Sequence, residues 1–182
     1  MRPRRLIGTS GRPLNFTVGR HEGVDVKAIV VEIYTASISG SRLRSVPRAT
    51  LEAGKGLFGD RYFLGVGTFS KKIMAPDAEI TLIESEEIER FNSNEQAAHS
   101  AGEFRRNIVT RGIKLNDLVG KRFLVGAALL EGKRLCEPCA HLAKLVRAPA
   151  VEGMVHRAGL RAQILTGATV QVGDEIREER AV

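Results

Sequence analysis

The chain has no tryptophan, only 5% aromatic residues, two cysteines and four histidines in 182 residues. Two cysteines are too few for a disulfide scaffold, which leans toward a reducing compartment and toward ligation or catalysis by thiol. The histidines (His21, His99, His141, His156) are scattered with no H-x3-H spacing, so a zinc finger or ribbon lacks its second ligand pair. Scarce aromatics argue against a stacking platform for single-stranded nucleic acid. No apolar run approaches the roughly eighteen residues of a membrane span, and the longest, such as "FLVGAALL", are strand-sized. Acidic residues are missing from one place only. Residues 1 to 20 hold five arginines and no carboxylate, while the rest carries 23 basic and 21 acidic side chains. The formal charge of +7 is therefore mostly an N-terminal arm. It reads as a solvated or disordered terminus, with an organelle transit peptide as the alternative.

From Val24 the composition becomes strand-like. "VDVKAIVVEIYTAS", "RATLEA", "AEITLIES", "KRFLVGAALLEG" and "ATVQVGDEI" are rich in β-branched residues and separated by glycine and charge. Helical periodicity is confined to "ESEEIERFN", with Ser85 as a possible N-cap, and "EPCAHLAKLV", with Pro138 in its first turn. The expected fold is mainly β with short helices, an α+β, barrel-like single domain rather than a doubly wound sheet.

Three stretches carry chemistry. "GKGLFG", residues 54 to 59, satisfies G-x-G-x-x-G, but no helix follows it, so a glycine-rich loop between strands is expected in place of a dinucleotide turn. Such a loop can still bring Asp60 and Arg61 to a ligand. In "EFRRNIVTRG", two-residue alternation aligns Arg105 with Asn107 if Ile108 is buried, and a guanidinium beside an amide suits a phosphate or polar heterocycle. Solvated arginines are the alternative. The third stretch is "CEPC", Cys136 to Cys139. A disulfide, a redox pair, one reactive thiolate or two inert thiols all remain open. In a helix starting at Pro138, Cys139 falls in the first turn and shares a stripe with Leu142, Ala143 and Val146. The helix N-terminus with Lys133 and Arg134 favours thiolate there, and Glu137 opposes it. Cys136 lies off that stripe and reads as the bystander. A small buried apolar residue is the common fate of a free cysteine.

Taken together, "GDRY" (59 to 62), "ITLIESEEIE", "FRRNIVTRG", "LVGKRFLVGAALLEG", "CEPC" and the closing "GLRAQILTGATVQVGDEI" resemble the MOSC domain family, named for the C-terminal domain of molybdenum cofactor sulfurases. The resemblance covers about Val24 to Ile176. With the charge pattern, the resemblance divides the chain into a basic, disordered arm over 1–22, a MOSC domain over 23–177 and a tail over 178–182. It implies binding of molybdenum cofactor, with Cys139 as metal ligand and catalytic or sulfur-carrying thiolate, and Arg61, Arg105, Asn107 and Thr110 in the cofactor pocket. Arg106 stands where relatives have proline, and Tyr62 where stand-alone members have histidine. The implied activity is reduction of N-hydroxylated small molecules or sulfur transfer, with an electron-donor or sulfur-donor protein as partner. The alternatives are a thiol-disulfide protein using both cysteines and a non-catalytic cofactor carrier. The chain alone gives no support to pyridoxal phosphate, to nucleic acid or to a membrane, and a cytoplasmic location is expected.

Overall fold

The computed structural model describes residues 27–67, 70, 76–138 and 150–179. The basic arm, Cys139 and the rest of the helix expected after Pro138 lie outside the described residues.

The described chain is mainly β. Its strands are β1 (Ile29–Thr35), β2 (Arg44–Val46), β3 (Arg48–Glu52), β4 (Gly56–Leu57), β5 (Ile80–Glu84), β6 (Ile108–Arg111), β7 (Arg122–Val125), β8 (Ala128–Leu135), β9 (Leu160–Thr166), β10 (Thr169–Gln171) and β11 (Ile176–Glu178). Eight form one sheet in the order β11-β7-β8-β9-β5-β6-β1-β2, and β10-β3-β4 form a second. The large sheet is not closed into a barrel. Its curl brings β11 beside β1, where the Ile29↔Glu175 bridge and the Val30 N–H to Asp174 O bond (2.9 Å) join them.

Alternation of side chains gives the sheet two buried faces. Val30, Ile33, Leu82, Ile108, Leu130 and Leu160 point to a core shared with Leu51, Leu57 and Val170 of the small sheet. Ile83 and Val109, the next residues along β5 and β6, point the other way, to Ile88, Phe91, Phe104 and Met154. Strand β1 does not alternate cleanly, because a bulge between Val30 and Glu32 resets its register against β6 and turns both Val30 and Ile33 inward.

Strands β5 and β6 run parallel, and the crossover between them is helix α1 (Ser85–Asn94). Ten residues are marginal as an isolated helix. What holds α1 is burial of Ile88 and Phe91, one turn apart, at ~1.5–3 kcal/mol each. Ser85 is not the N-cap. β5 runs straight into α1, so Glu84 takes the cap position with extended φ and ψ and no side-chain capping bond. Its carboxylate instead accepts the Leu115 N–H at 2.7 Å.

The register also fixes distances across the sheet. Leu135, Leu160, Leu82, Ile108 and Ile33 lie in one transverse row from β8 to β1. Cys136 follows the last residue of β8, one residue beyond that row, and Asn107 precedes the first residue of β6, one residue before it. Three strand spacings, about 14 Å across the sheet, and two residues, about 7 Å along it, separate them.

Candidate functional site: an arginine-lined cavity at the strand ends

The C-terminal end of β1 and the start of β6 run antiparallel and finish together, so two loops meet there. One is residues 36–43 after β1, the other 100–107 before β6. Between them lies a cavity of about 390 Å³ lined by Tyr34, Arg42, Leu43, Gly102, Glu103 and Arg105, among others. A 3-10 turn (Ala101–Phe104) forms its floor, closed by a capping box in which Ser100 and Glu103 bond each other's backbone.

Arg105 ends that turn in the left-handed conformation, φ 60°. It is therefore not in β6, and strand alternation does not set its direction. The turn and a bond from Nη1 to Ser41 O (2.9 Å) do. Its guanidinium is half-buried, and among the described residues no carboxylate pairs with it. Burial holds Arg105 below its ordinary value and the charge of Arg61 pushes the same way, against weaker opposition from Tyr62 and Asp60.

Arg61 is the second guanidinium. It is buried with Asp60, and its Nη1 donates to Asp60 Oδ2 at 3.0 Å. Its guanidinium also lies over the Tyr62 ring, 4.8 Å from the centroid. Asp60 ties the glycine loop to the end of β1, accepting the Ala36 N–H (3.2 Å) on Oδ2 and the Tyr62 N–H (3.0 Å) on Oδ1. The Arg61 N–H closes the contact by donating to Ala36 O at 2.6 Å. As the sequence suggested, "GKGLFG" is a loop between strands. It makes β4 and turns, and opens no helix.

Asn107 is brought to the same place, but its side chain is already engaged. Oδ1 accepts from Thr81 N–H (3.3 Å) and Thr81 Oγ1 (2.9 Å), and Nδ2 donates to Tyr34 O (3.3 Å). It pins β5, β6 and β1 together behind Arg105. Thr110 is farther along β6, fully buried, with its hydroxyl donating to Ile83 O at 3.3 Å, and it offers the cavity no atom. Arg106, where relatives have proline, bonds Ala158 O (2.8 Å) and Phe104 O (3.1 Å). Sequence reasoning missed Tyr34 and Arg42, which line the cavity only because the 36–43 loop folds back.

Tyr34 is a neutral donor at this wall. Its hydroxyl donates to Glu32 Oε2 at 2.5 Å, and burial first and that carboxylate second push its pKa from 10.0 to about 12. The folded value lies above the unfolded one. Stability from this contact is therefore complete below pH 10 and is lost as pH rises to about 12. Absorbance titration should show a late phenolate step near that pH, absent in Tyr34→Phe.

At the other end of the row, Cys136 is a buried free thiol, 1% exposed, whose N–H donates to Gly159 O at 2.7 Å. Glu137 next to it accepts the His156 N–H (3.0 Å) and meets His156 Nδ1 (2.7 Å), and the N–H contact leads in holding its carboxyl below the ordinary value. Among the described residues no three His, Cys, Asp or Glu side chains converge as a metal site, and no helix is long and apolar enough to cross a membrane.

A curled eight-stranded sheet over a three-stranded one, with a basic cavity where β1 ends and β6 begins, defines a small α+β domain of mixed sheets. The family model of the MOSC domain matches residues 69–177, more than half of the chain, and the chain belongs to that family. The fold is similar to the YUAD protein of Bacillus subtilis (TM-score 0.69, 18% identity, covering 82% of this chain and 94% of that one). It is also similar to YiiM from Geobacillus stearothermophilus (0.64, 17%, 84% and 75%) and YiiM from Escherichia coli (0.63, 20%, 86% and 71%). No curated protein matches in sequence. The MOSC family is associated with binding of molybdenum cofactor and related ligands.

Proposed function

We propose that this chain binds molybdenum cofactor, an anionic pterin dithiolene, with its anionic portion against Arg105 and its metal ligated by the Cys139 thiolate. One observation carries the reading. Arg105 is held half-buried at a cavity wall with no carboxylate partner among the described residues and a second guanidinium behind it. That arrangement is unfavourable alone and is relieved by an anion, which a planar donor fork binds in two-pronged fashion. The residues present thus fit the anionic part of the group. A soft thiolate suits its sulfur-rich metal centre.

When bound, the cofactor would supply the redox or sulfur-carrying chemistry. The chain's own residues bind and orient it. Arg105 and Arg42 provide charge at the cavity, and Arg61 adds field from the buried side. Asn107 and Thr110 act behind them by fixing the strands, rather than as ligands. On this reading the protein reduces N-hydroxylated compounds with electrons from a partner protein, or carries sulfur on Cys139 for metal-sulfur centre assembly. A thiol-disulfide role needs Cys136 accessible, and at 1% exposure it is poorly placed to exchange.

Protein purified from a host that makes molybdenum cofactor tests this by its molybdenum and pterin content per chain. Wild type should retain both. Arg105→Ala should weaken pterin retention about tenfold or more, since a hydrogen bond to a charged group is worth ~1.5–3 kcal/mol, and should leave the fold intact. Cys139→Ser should lose molybdenum while Cys136→Ser keeps most of it. Equal loss from both cysteine variants points to a redox pair. Wild-type retention by Arg105→Ala removes Arg105 from the site, and absence of both molybdenum and pterin from the wild type overturns the proposal.

A further inference from the structure

We propose that a second cavity, between the glycine-rich loop and the start of β5, binds a small molecule through a primary ammonium group received by Glu79. The cavity holds about 520 Å³ and is lined by Lys55, Tyr62, Phe63, Ser70, Glu79 and Gln163, among others, and neither Arg61 nor Arg105 lines it. Volumes of this size suit a small ligand.

Three polar side-chain ends line it without a partner among the described residues. Glu79 Oε2 is fixed by the Gly54 N–H (3.1 Å) and the Ile164 N–H (3.0 Å), while no donor among the described residues reaches Oε1. The Ser70 hydroxyl is buried and has no hydrogen-bond partner among the described residues. The Gln163 amide lines the same wall, and no described group bonds it. A buried hydroxyl left unmade costs about 1–3 kcal/mol, so an empty arrangement of this kind is unfavourable.

The carboxylate selects a cationic donor. Its oxygen only accepts, the Gln163 amide and the Ser70 hydroxyl can accept beside it, and a primary ammonium carries three N–H donors with no acceptor. Burial raises the Glu79 carboxyl above its ordinary value against the Ile164 and Gly54 N–H bonds and, after them, the charge of Lys133, and a bound cation would offset the cost that remains. Tyr62 and Phe63 provide apolar walls for the ligand body. They do not supply the charge recognition, because Arg61 already lies over Tyr62 and Lys55 over Phe63, 5.8 Å from its centroid.

Glu79 also has a purely structural use, as the clamp between the 54 loop and β9. Glu79→Gln separates the two roles. Its single carbonyl oxygen can keep both backbone N–H bonds, while its NH2 replaces the free oxygen with a donor that repels ammonium. Benzylamine is the probe and benzyl alcohol its neutral counterpart of similar shape. The amide resonances of Gly54 and Ile164, which report the clamp directly, are followed near neutral pH.

Wild type should show saturable shifts with benzylamine, with Kd on the order of 1 mM for a ligand of this size. Benzyl alcohol should bind at least tenfold more weakly, and Glu79→Gln should keep its dispersed spectrum but lose benzylamine at least tenfold. Equal binding of the alcohol, equal binding by Glu79→Gln, or no saturation of the wild type overturns the proposal. Glu79 lies outside the residues assigned to molybdenum cofactor. Molybdenum and pterin content should therefore be unchanged in Glu79→Gln, and a fall in either would merge this cavity with the cofactor site.

Discussion

Asp60→Ala is expected to cost about 3–5 kcal/mol of folding stability, a large fraction of the ~5–15 kcal/mol available to a domain of this kind. The reason is what the substitution leaves behind. Arg61 would keep its charge in a place where its side chain is 5% exposed, with the carboxylate 3.0 Å away deleted. A guanidinium cannot escape by losing its proton. The Ala36 and Tyr62 N–H groups would lose their acceptor in the same step, freeing the glycine loop from the end of β1. For a chain of this length the loss corresponds to a fall in Tm of roughly 10 °C. The double variant Asp60→Ala, Arg61→Met should be more stable than Asp60→Ala alone, because it removes the orphaned charge as well as its partner. Chemical denaturation of the three proteins reads both effects. A loss under about 1 kcal/mol, the range of exposed pairs, would mean that water reaches this pair and that Arg61 adds little to the field at Arg105.

The same pair shows why part of the site was legible in the sequence and part was not. Strands such as β5 and β8 announce themselves by local composition, whereas the segment that holds β6 is ambiguous, and the opposite facing of Leu82 and Ile83 follows from the pleat alone. The glycine loop was readable because no helical stripe follows it. Long-range satisfaction was not readable. Asn107 looks like a ligand in "FRRNIVTRG", and only the fold brings Thr81 and Tyr34 to engage its carbonyl oxygen and one of its two amide N–H donors. Arg105 was misplaced for a different reason. Alternation assumes an extended backbone, and the left-handed residue that ends a 3-10 turn breaks the count one step before the strand begins. Ser85 failed as an N-cap because a strand running directly into a helix leaves the cap position to the strand's last residue. Glu79 gave no sequence signal. Its role depends on a loop 25 residues earlier and a strand 85 residues later, which converge on one carboxylate oxygen.

The other large effect is expected from Gly159→Ala, at the foot of the cysteine segment. Gly159 has φ +104°, and a Cβ placed on it would lie 1.9 Å from Leu82 O and 3.2 Å from the Ile83 Cα. Both are backbone atoms of β5, a central strand, so no side chain can swing aside. Relief requires β9 to move from β5 by an ångström or more at Leu160↔Leu82, in the middle of the transverse row. Overpacking of ~1–3 kcal/mol or more adds to backbone strain of ~1–3 kcal/mol, and the expected loss is about 4 kcal/mol. Gly120→Ala is the control. Its φ of +77° carries similar strain, but nothing lies within 4 Å of the added carbon, and about 1–2 kcal/mol is expected. The difference between the two isolates the close approach of backbones, and equal losses would refute it. Because Gly159 O also accepts the Cys136 N–H at 2.7 Å, the same shift would loosen the anchor of the segment that leads to Cys139. On the proposed function, folded Gly159→Ala protein should therefore lose molybdenum in greater proportion than Gly120→Ala, which leaves that anchor untouched.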